Sequence, residues 1–98
     1  MKILALEKEV EGVSWINRNE LLLFEAEQIY NLYLSDIVRE IYFTQNKNAV
    51  IVLDVKDKNE AIEILDSLPL VKSGMIKFEI LELRPYTGFD RLMKPKSD

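Results

Sequence analysis

The hydrophobic positions of this chain follow two different periods, and the switches between them predict its elements. A short apolar run at Ile3–Leu6 predicts a strand that is apolar on both faces. From residue 21 to residue 35 the apolar residues recur with the helical period, and Asn17 or Asn19 is expected to cap the start of that helix. The apolar stripe of the helix comprises Leu22, Ala26, Ile29 and Tyr33, widened by Leu23, Tyr30 and Leu34.

The middle of the chain returns to β-branched and aromatic residues. Residues 37–45 predict a second strand, and a polar turn separates it from a continuous apolar strand at 49–55, so that the two form a hairpin. Asp57 followed by Glu60 has the spacing of a capping box and predicts the start of a second helix. Pro69 ends that helix.

The last strand follows the LPLVKSG loop and its Gly74. Within MIKFEILEL, Ile76, Phe78 and Ile80 share one face, and the strand ends before Arg84 and Pro85. The resulting order, β-α-β-β-α-β, predicts an α+β ferredoxin-like fold with an antiparallel four-stranded sheet. In that topology strands one and three are central. They are the uninterrupted apolar strands here, whereas strands two and four carry the charges typical of sheet edges.

The 98 residues are predicted to form a single domain that pairs with a second copy of itself. The third strand, AVIVL, is apolar on both faces, but both predicted helices cover the same face of the sheet. We expect the sheet of a second copy to stack on the other face at ~10 Å, giving a dimeric α/β barrel. Alternatively, the loop at 9–20 and the C-terminal tail at 84–98 cover that face in a monomer. The tail is expected to pack on the sheet or on the partner subunit.

Composition restricts the chemistry and the partners of the chain. It has no cysteine and no histidine, so proton transfer has to use carboxylates, Lys or Tyr, and we expect no metal and no cofactor. The net charge is −4 and the basic residues are scattered, which disfavours nucleic acid and anionic membranes as partners. The apolar run near Met1 is shorter than that of a signal peptide, and we expect a cytoplasmic protein.

The segment DSLPLVKSGMIKFEILELRPYTGF resembles the muconolactone isomerase-like group of the dimeric α/β barrel superfamily. The resemblance implies two ferredoxin-like units that stack into a barrel, with a cavity for a small molecule at the sheet. It also implies a cofactor-free isomerase that moves a proton within a small lactone or keto acid. The residues that carry the resemblance are Leu68, Pro69, Leu70, Gly74, Arg84, Pro85, Tyr86, Gly88 and Phe89, with Val38, Arg39, Glu40, Tyr42 and Phe43 in the second strand.

Glu27 and Arg39 form the candidate catalytic pair. Glu27 interrupts the apolar row of the first helix, where desolvation would raise the pKa of a carboxyl toward that of a general base. Arg39 would hold an anionic ligand or an enolate. The alternatives are that Glu27 is an ordinary exposed glutamate and that Arg39 pairs with a structural carboxylate such as Glu27 or Asp36.

Strand alternation places Arg39 and Glu40 on opposite faces, which predicts that at most one of them lines a given cavity. Glu40 is then expected to be a solvated edge residue. The alternative function is a non-catalytic assembly or ligand-sensing module, which the lack of His and Cys favours. Four further residues are candidate ligand contacts, or else core or interface residues: Tyr30, Tyr42, Arg84 and Tyr86.

Overall fold

Four strands form one antiparallel sheet in the order β2-β3-β1-β4 in the computed structural model, which describes residues 1–93. The order confirms the ferredoxin-like α+β fold, with β1 and β3 in the centre. The strands are β1 (Lys2–Glu9), β2 (Val38–Phe43), β3 (Ala49–Asp54) and β4 (Ile76–Leu83). The helices are α1 (Asn19–Leu34), α2 (Lys58–Asp66), α3 (Pro69–Lys72) and α4 (Asp90–Met93).

The core lies between the sheet and α2. Ile3 of β1 pairs with Leu53 of β3, and both are fully buried beneath Leu65 of α2. Helix α1 contributes only the half-buried Ile29 and Leu32 to this core. It therefore rests less tightly on the sheet than α2 does.

Two local predictions about the helix ends are corrected. The N-cap position of α1 is Arg18, whose side chain makes no capping hydrogen bond, so the predicted asparagine caps are wrong. Asn17 instead has a φ of 58°, a left-handed conformation that asparagine tolerates in turns. The predicted LPLVKSG loop contains α3, because Pro69 occupies its first turn, where its fixed φ suits a helix.

One face of the sheet carries no helix from residues 1–93, and we call it the open face. Helices α1, α2 and α3 all pack on the opposite face, against the core residues of β1 and β3. The open face is apolar in its centre and has a salt bridge of 3.9 Å between Lys8 Nζ and Glu79 Oε1 toward one end. Its apolar residues are Leu4, Leu6, Val50, Val52, Leu81 and Leu83.

Residues 84–93, the C-terminal arm, do not pack on the sheet of their own chain. Tyr86, Phe89, Leu92 and Met93 are each between 65% and 80% exposed. The predicted cover of the second face by the tail is therefore not formed by the arm, and residues 94–98 lie outside the described residues.

We expect an Asp57→Ala variant to lose about 1 kcal/mol of unfolding free energy. The predicted capping box is present, since Asp57 Oδ1 accepts a hydrogen bond of 2.9 Å from the backbone N–H of Glu60. Urea denaturation would measure the loss, with the adjacent exposed Lys58→Ala as a control that leaves the cap intact. Equal stability of Asp57→Ala and wild type would contradict the assigned cap.

Candidate functional site

A cavity of about 980 Å³ lies between α1 and the helix-covered face of the sheet. It sits at the end of the sheet where β1 ends and β3 begins, next to Glu7, Glu9 and Ala49. Its volume falls in the range of pockets that hold small organic molecules. Six aromatic residues contribute to its lining: Trp15, Tyr30, Tyr33, Tyr42, Phe43 and Phe78.

The cavity exists because α1 meets the core along only one side of its apolar stripe. Ile29 packs against the core, whereas Leu22, Ala26 and Tyr33 of the same stripe face the cavity. Small side chains at Ala26 on the helix and Ala49 on the sheet leave space that larger residues would fill. The apolar stripe of α1 thus covers one side of the cavity.

Glu25 is the buried carboxylate of the site, with only 6% of its surface exposed. Its Oε1 accepts a hydrogen bond of 3.0 Å from the backbone N–H of Leu70, which ties α1 to α3. Among the described residues its Oε2 has no hydrogen-bond partner, and the side chain lines the cavity. One oxygen of the Glu25 carboxylate is thus left without a protein partner beside the cavity in the described part of the chain.

Burial raises the pKa of the Glu25 carboxyl above its ordinary value of 4.5. The hydrogen bond from Leu70 opposes this shift, and the negative charge of Glu7 adds to it. A carboxyl whose pKa moves toward neutrality is suited to both accept and return a proton near physiological pH. The raised pKa that the sequence analysis expected of a general base is therefore found at Glu25, where burial causes it.

Two further glutamates line the cavity from β1. Glu7 and Glu9 lie opposite Phe78 and Ile76 of β4, on the helix-covered face of the sheet. Glu7 Oε1 accepts a hydrogen bond of 3.0 Å from the backbone N–H of Ala49, which fixes this carboxylate where β3 begins. The side of the cavity formed by β1 and α1 is accordingly acidic.

Arg39 occupies a β-bulge in β2. The pairing with β3 passes from Val38 opposite Leu53 to Glu40 opposite Val52, so Arg39 is the extra residue. Both Arg39 and Glu40 border the cavity. The bulge does not bring Glu40 to the helix-covered face. Beyond the bulge Glu40 pairs with Val52 of the open face and Ile41 pairs with the buried Ile51, so the Glu40 side chain lies on the open face.

The β2–β3 hairpin contributes the two basic residues of the cavity lining, Arg39 and Lys47. Among residues 1–93 Arg39 forms no ion pair, so neither Glu27 nor Asp36 neutralises it. Glu40 is engaged nearby, because its Oε1 accepts a hydrogen bond of 2.9 Å from Tyr42 Oη. That bond raises the pKa of the Tyr42 hydroxyl, which therefore stays protonated.

Three of the six predicted site residues, Arg39, Tyr30 and Tyr42, line the cavity. Glu27 does not: it is exposed on α1, so its expected desolvation is wrong, and Glu25 occupies the buried position half a turn earlier. Arg84 and Tyr86 lie beyond Leu83, at the other end of the sheet. Arg84 Nη2 there forms an ion pair of 2.8 Å with Glu82 Oε2.

The sequence contains a feature that could have identified Glu25. The residue lies four positions after Leu21 and four before Ile29, so it sits inside the apolar arc of α1. A carboxylate within such an arc is surrounded by apolar neighbours on its own helix. Glu27 lies at the edge of the same arc and faces solvent.

A Glu25→Gln variant should be more stable than wild type at neutral pH. Because the folded state raises the pKa of Glu25, its stabilising contribution is full below pH 4.5 and is lost as the pH rises through the raised pKa. Gln mimics the protonated form at every pH and can still accept the bond from Leu70. The difference should be about 1.4 kcal/mol for each unit by which the pKa is raised.

Urea denaturation of wild type and Glu25→Gln at a series of pH values would measure this difference. We expect coincident stabilities at acidic pH and a gap that opens as the pH rises above 4.5. A gap that is constant with pH would contradict the raised pKa.

Among the solved structures that match this chain is one of low sequence identity. It is 5-chloro-2-hydroxyhydroquinone dehydrochlorinase from Burkholderia phenoliruptrix AC1100, in complex with 2,5-dihydroxybenzoquinone. The two chains match with a TM-score of 0.71 and 12% identity, over 90% of this chain and 98% of that chain. The likeness establishes the fold alone.

No protein-family model matches the chain, and no curated protein matches it either. The resemblance to muconolactone isomerase-like proteins is supported at the level of the ferredoxin-like fold alone. The particular family stays a prediction.

Two other kinds of feature are absent from residues 1–93. No helix in this part of the chain is both long enough and apolar enough to cross a membrane. Nor do the described residues bring together three or more His, Cys, Asp or Glu side chains that could hold a metal ion.

Proposed function

We propose that this protein binds a small cyclic organic molecule in the cavity beneath α1 and acts on it as a cofactor-free isomerase. The observation that carries the proposal is Glu25, a buried carboxylate at an apolar, aromatic-lined cavity, with one oxygen that has no partner among residues 1–93. The predicted substrate class, a small lactone or keto acid, has the acidic C–H bond and the carbonyl that such a base requires.

The proposed reaction is an intramolecular proton transfer. Ionised Glu25 takes a proton from a carbon next to the carbonyl, and the electron pair of the C–H bond moves onto the carbonyl oxygen as an enolate. Arg39 stabilises that negative charge. Glu25 then returns the proton to a different carbon of the conjugated system, so the product is an isomer and the enzyme is regenerated.

The distribution of charge around the cavity supports one orientation of the ligand. Carboxylates of Glu7, Glu9 and Glu25 lie on the β1 and α1 side, whereas Arg39 and Lys47 lie on the β2–β3 hairpin. An acidic group of the ligand is attracted to the hairpin and repelled by the opposite side. The C–H bond of the ring then faces Glu25.

We further propose that two copies associate through their open faces. An apolar centre made of Leu4, Leu6, Val50 and Val52, with a charged pair at one end, has the anatomy of an interface. A two-fold dimer would bury that centre on both copies at once. A cytoplasmic location remains a prediction.

The non-catalytic module remains the second candidate, and the exposed apolar surface of the open face and the arm favours it. The cavity distinguishes the two candidate functions, because an assembly module does not require a buried carboxylate at an open pocket. Catalysis also requires turnover, which a sensing module lacks.

A thermal-shift screen against small lactones, keto acids and aromatic carboxylates tests the proposed binding. We expect at least one compound to raise the melting temperature of wild type, since binding to the folded state alone stabilises it. The same compound should have a smaller effect on Arg39→Ala. A screen without any hit, on protein confirmed to be folded, would contradict the proposed function and favour the module.

A further inference from the structure

Lys47 has a backbone conformation that lysine does not favour. It lies in the turn between β2 and β3 with a φ of 61°, in the left-handed region. The other residues with a positive φ in the described part of the chain are of types that adopt this region readily, namely Gly12, Gly74, Asn17 and Asp36. The lysine Cβ crowds the neighbouring carbonyl oxygen in this conformation. Lysine therefore destabilises the turn relative to asparagine.

The turn fixes the backbone of Lys47 through hydrogen bonds that do not use its ammonium group. The backbone N–H of Lys47 donates to the carbonyl oxygen of Thr44 at 2.8 Å, and the N–H of Thr44 donates to the carbonyl oxygen of Asn48 at 2.9 Å. The Thr44 hydroxyl accepts further bonds from the N–H groups of Asn46 and Asn48. The left-handed conformation thus belongs to the hairpin and would be required of any residue at this position.

The side chain of Lys47 lines the cavity, and its ammonium group forms no ion pair among residues 1–93. Arg39, the other cation of the lining, lies four residues before Phe43, at the end of β2. At the usual rise per residue, about 13 Å of strand separates Arg39 from the turn. The two cations therefore approach the cavity from different points along the hairpin and can contact different groups of one ligand.

The opposite side of the cavity repels a carboxylate. Glu7, Glu9 and Glu25 line it from β1 and α1, and Glu25 has to be ionised when it takes up a proton. A carboxylate substituent of the ligand is therefore directed toward the hairpin. Lys47 is exposed as well as part of the lining, so it lies at the mouth of the cavity, where such a substituent can reach it.

We infer that Lys47 is a specificity-determining residue, which binds a carboxylate substituent of the substrate and leaves Arg39 to the enolate. Its disfavoured backbone, its unpaired ammonium group among residues 1–93 and its place in the lining have one common explanation if the lysine serves the ligand. The substrate then carries a carboxylate in addition to the reacting carbonyl. This inference rests on the proposed function and adds the residue that selects the substrate by its charge.

The single tryptophan gives a direct readout of binding, because Trp15 lines the cavity. Its fluorescence would be titrated with benzoate and with benzamide, which have nearly the same shape and differ in charge. We expect wild type to bind benzoate more tightly than benzamide. In Lys47→Asn the ratio of the two affinities should fall about fivefold, the effect of one exposed ion pair at its strongest.

Two further variants serve as controls in this titration. Lys47→Arg keeps the positive charge at the mouth of the cavity and should keep the preference for benzoate. Lys56→Asn removes the same charge between β3 and α2, outside the cavity lining, and should bind as wild type does. An equal loss of preference in Lys56→Asn and Lys47→Asn would contradict the inference, because the net charge of the chain would then select the ligand.

Stability should change in the opposite direction from specificity. Because asparagine tolerates the left-handed region, Lys47→Asn is expected to unfold at a higher urea concentration than wild type. This measurement requires no ligand. A lower urea midpoint for Lys47→Asn would show that lysine suits the turn and would contradict the inference drawn from its backbone.

The titration separates failure of this inference from failure of the proposed function. If wild type binds both probes equally, or if Lys47→Asn keeps the full preference for benzoate, the role of Lys47 is overturned while the cavity remains a binding site. If neither probe changes the Trp15 fluorescence of wild type, the proposed cavity is contradicted and the role of Lys47 falls with it.

Discussion

A Glu25→Gln variant is expected to lose about 100- to 10,000-fold in turnover while retaining its ligand. The amide cannot take up the proton that the proposed reaction moves, but it has the same shape and can accept the same bond from Leu70. Stability and activity should therefore change in opposite directions, because the variant is expected to be more stable at neutral pH. Such a divergence excludes loss of folding as the cause.

The measurement is exchange of substrate hydrogen for deuterium in heavy water, followed by NMR on the first compound that the screen identifies. Glu27→Gln is the matched control, since it makes the same change on the exposed side of the same helix. We expect Glu27→Gln to retain wild-type exchange. Wild-type exchange in Glu25→Gln, or an equal loss in both variants, would contradict the assignment of Glu25 as the base.

The second large effect is expected at the open face, where Val52→Glu should convert the proposed dimer into monomer. Val52 lies on the central strand β3, so the change places a carboxylate from each copy in the middle of the proposed interface. An unpaired charge buried between subunits costs about 3–5 kcal/mol, which corresponds to more than a hundredfold in the dissociation constant.

Light scattering coupled to size-exclusion chromatography would give the mass of each variant. Asn59→Glu, which adds the same charge on α2, should remain dimeric like wild type. A Val52→Glu protein that keeps the mass of wild type would show that the open face is not the interface.

The sequence was sufficient to predict the fold, because the fold follows from the periodicity of the apolar residues. The order of the strands and the central position of β1 and β3 follow from which strands are uninterrupted by charge, and the structure confirms both. The capping box at Asp57 is equally local and is also confirmed. These features are set by neighbouring residues along the chain.

The site was harder to predict because it depends on relations between elements. The bulge at Arg39 is a property of the pairing between β2 and β3, and nothing in the β2 sequence alone specifies it. The burial of Glu25 depends on contact with Leu70, forty-five residues later. Periodicity indicated which side of α1 faces the sheet, but it could not show that a cavity separates them.

The most direct test of the central claim is to fill the cavity and measure binding of the first screening hit by calorimetry. Ala26 lies on α1 and lines the cavity, so Ala26→Trp should occupy the space of the ligand and abolish binding. Leu23→Trp adds the same ring on the exposed side of the same helix and should bind as wild type does. Unchanged binding by Ala26→Trp would show that the ligand site lies elsewhere.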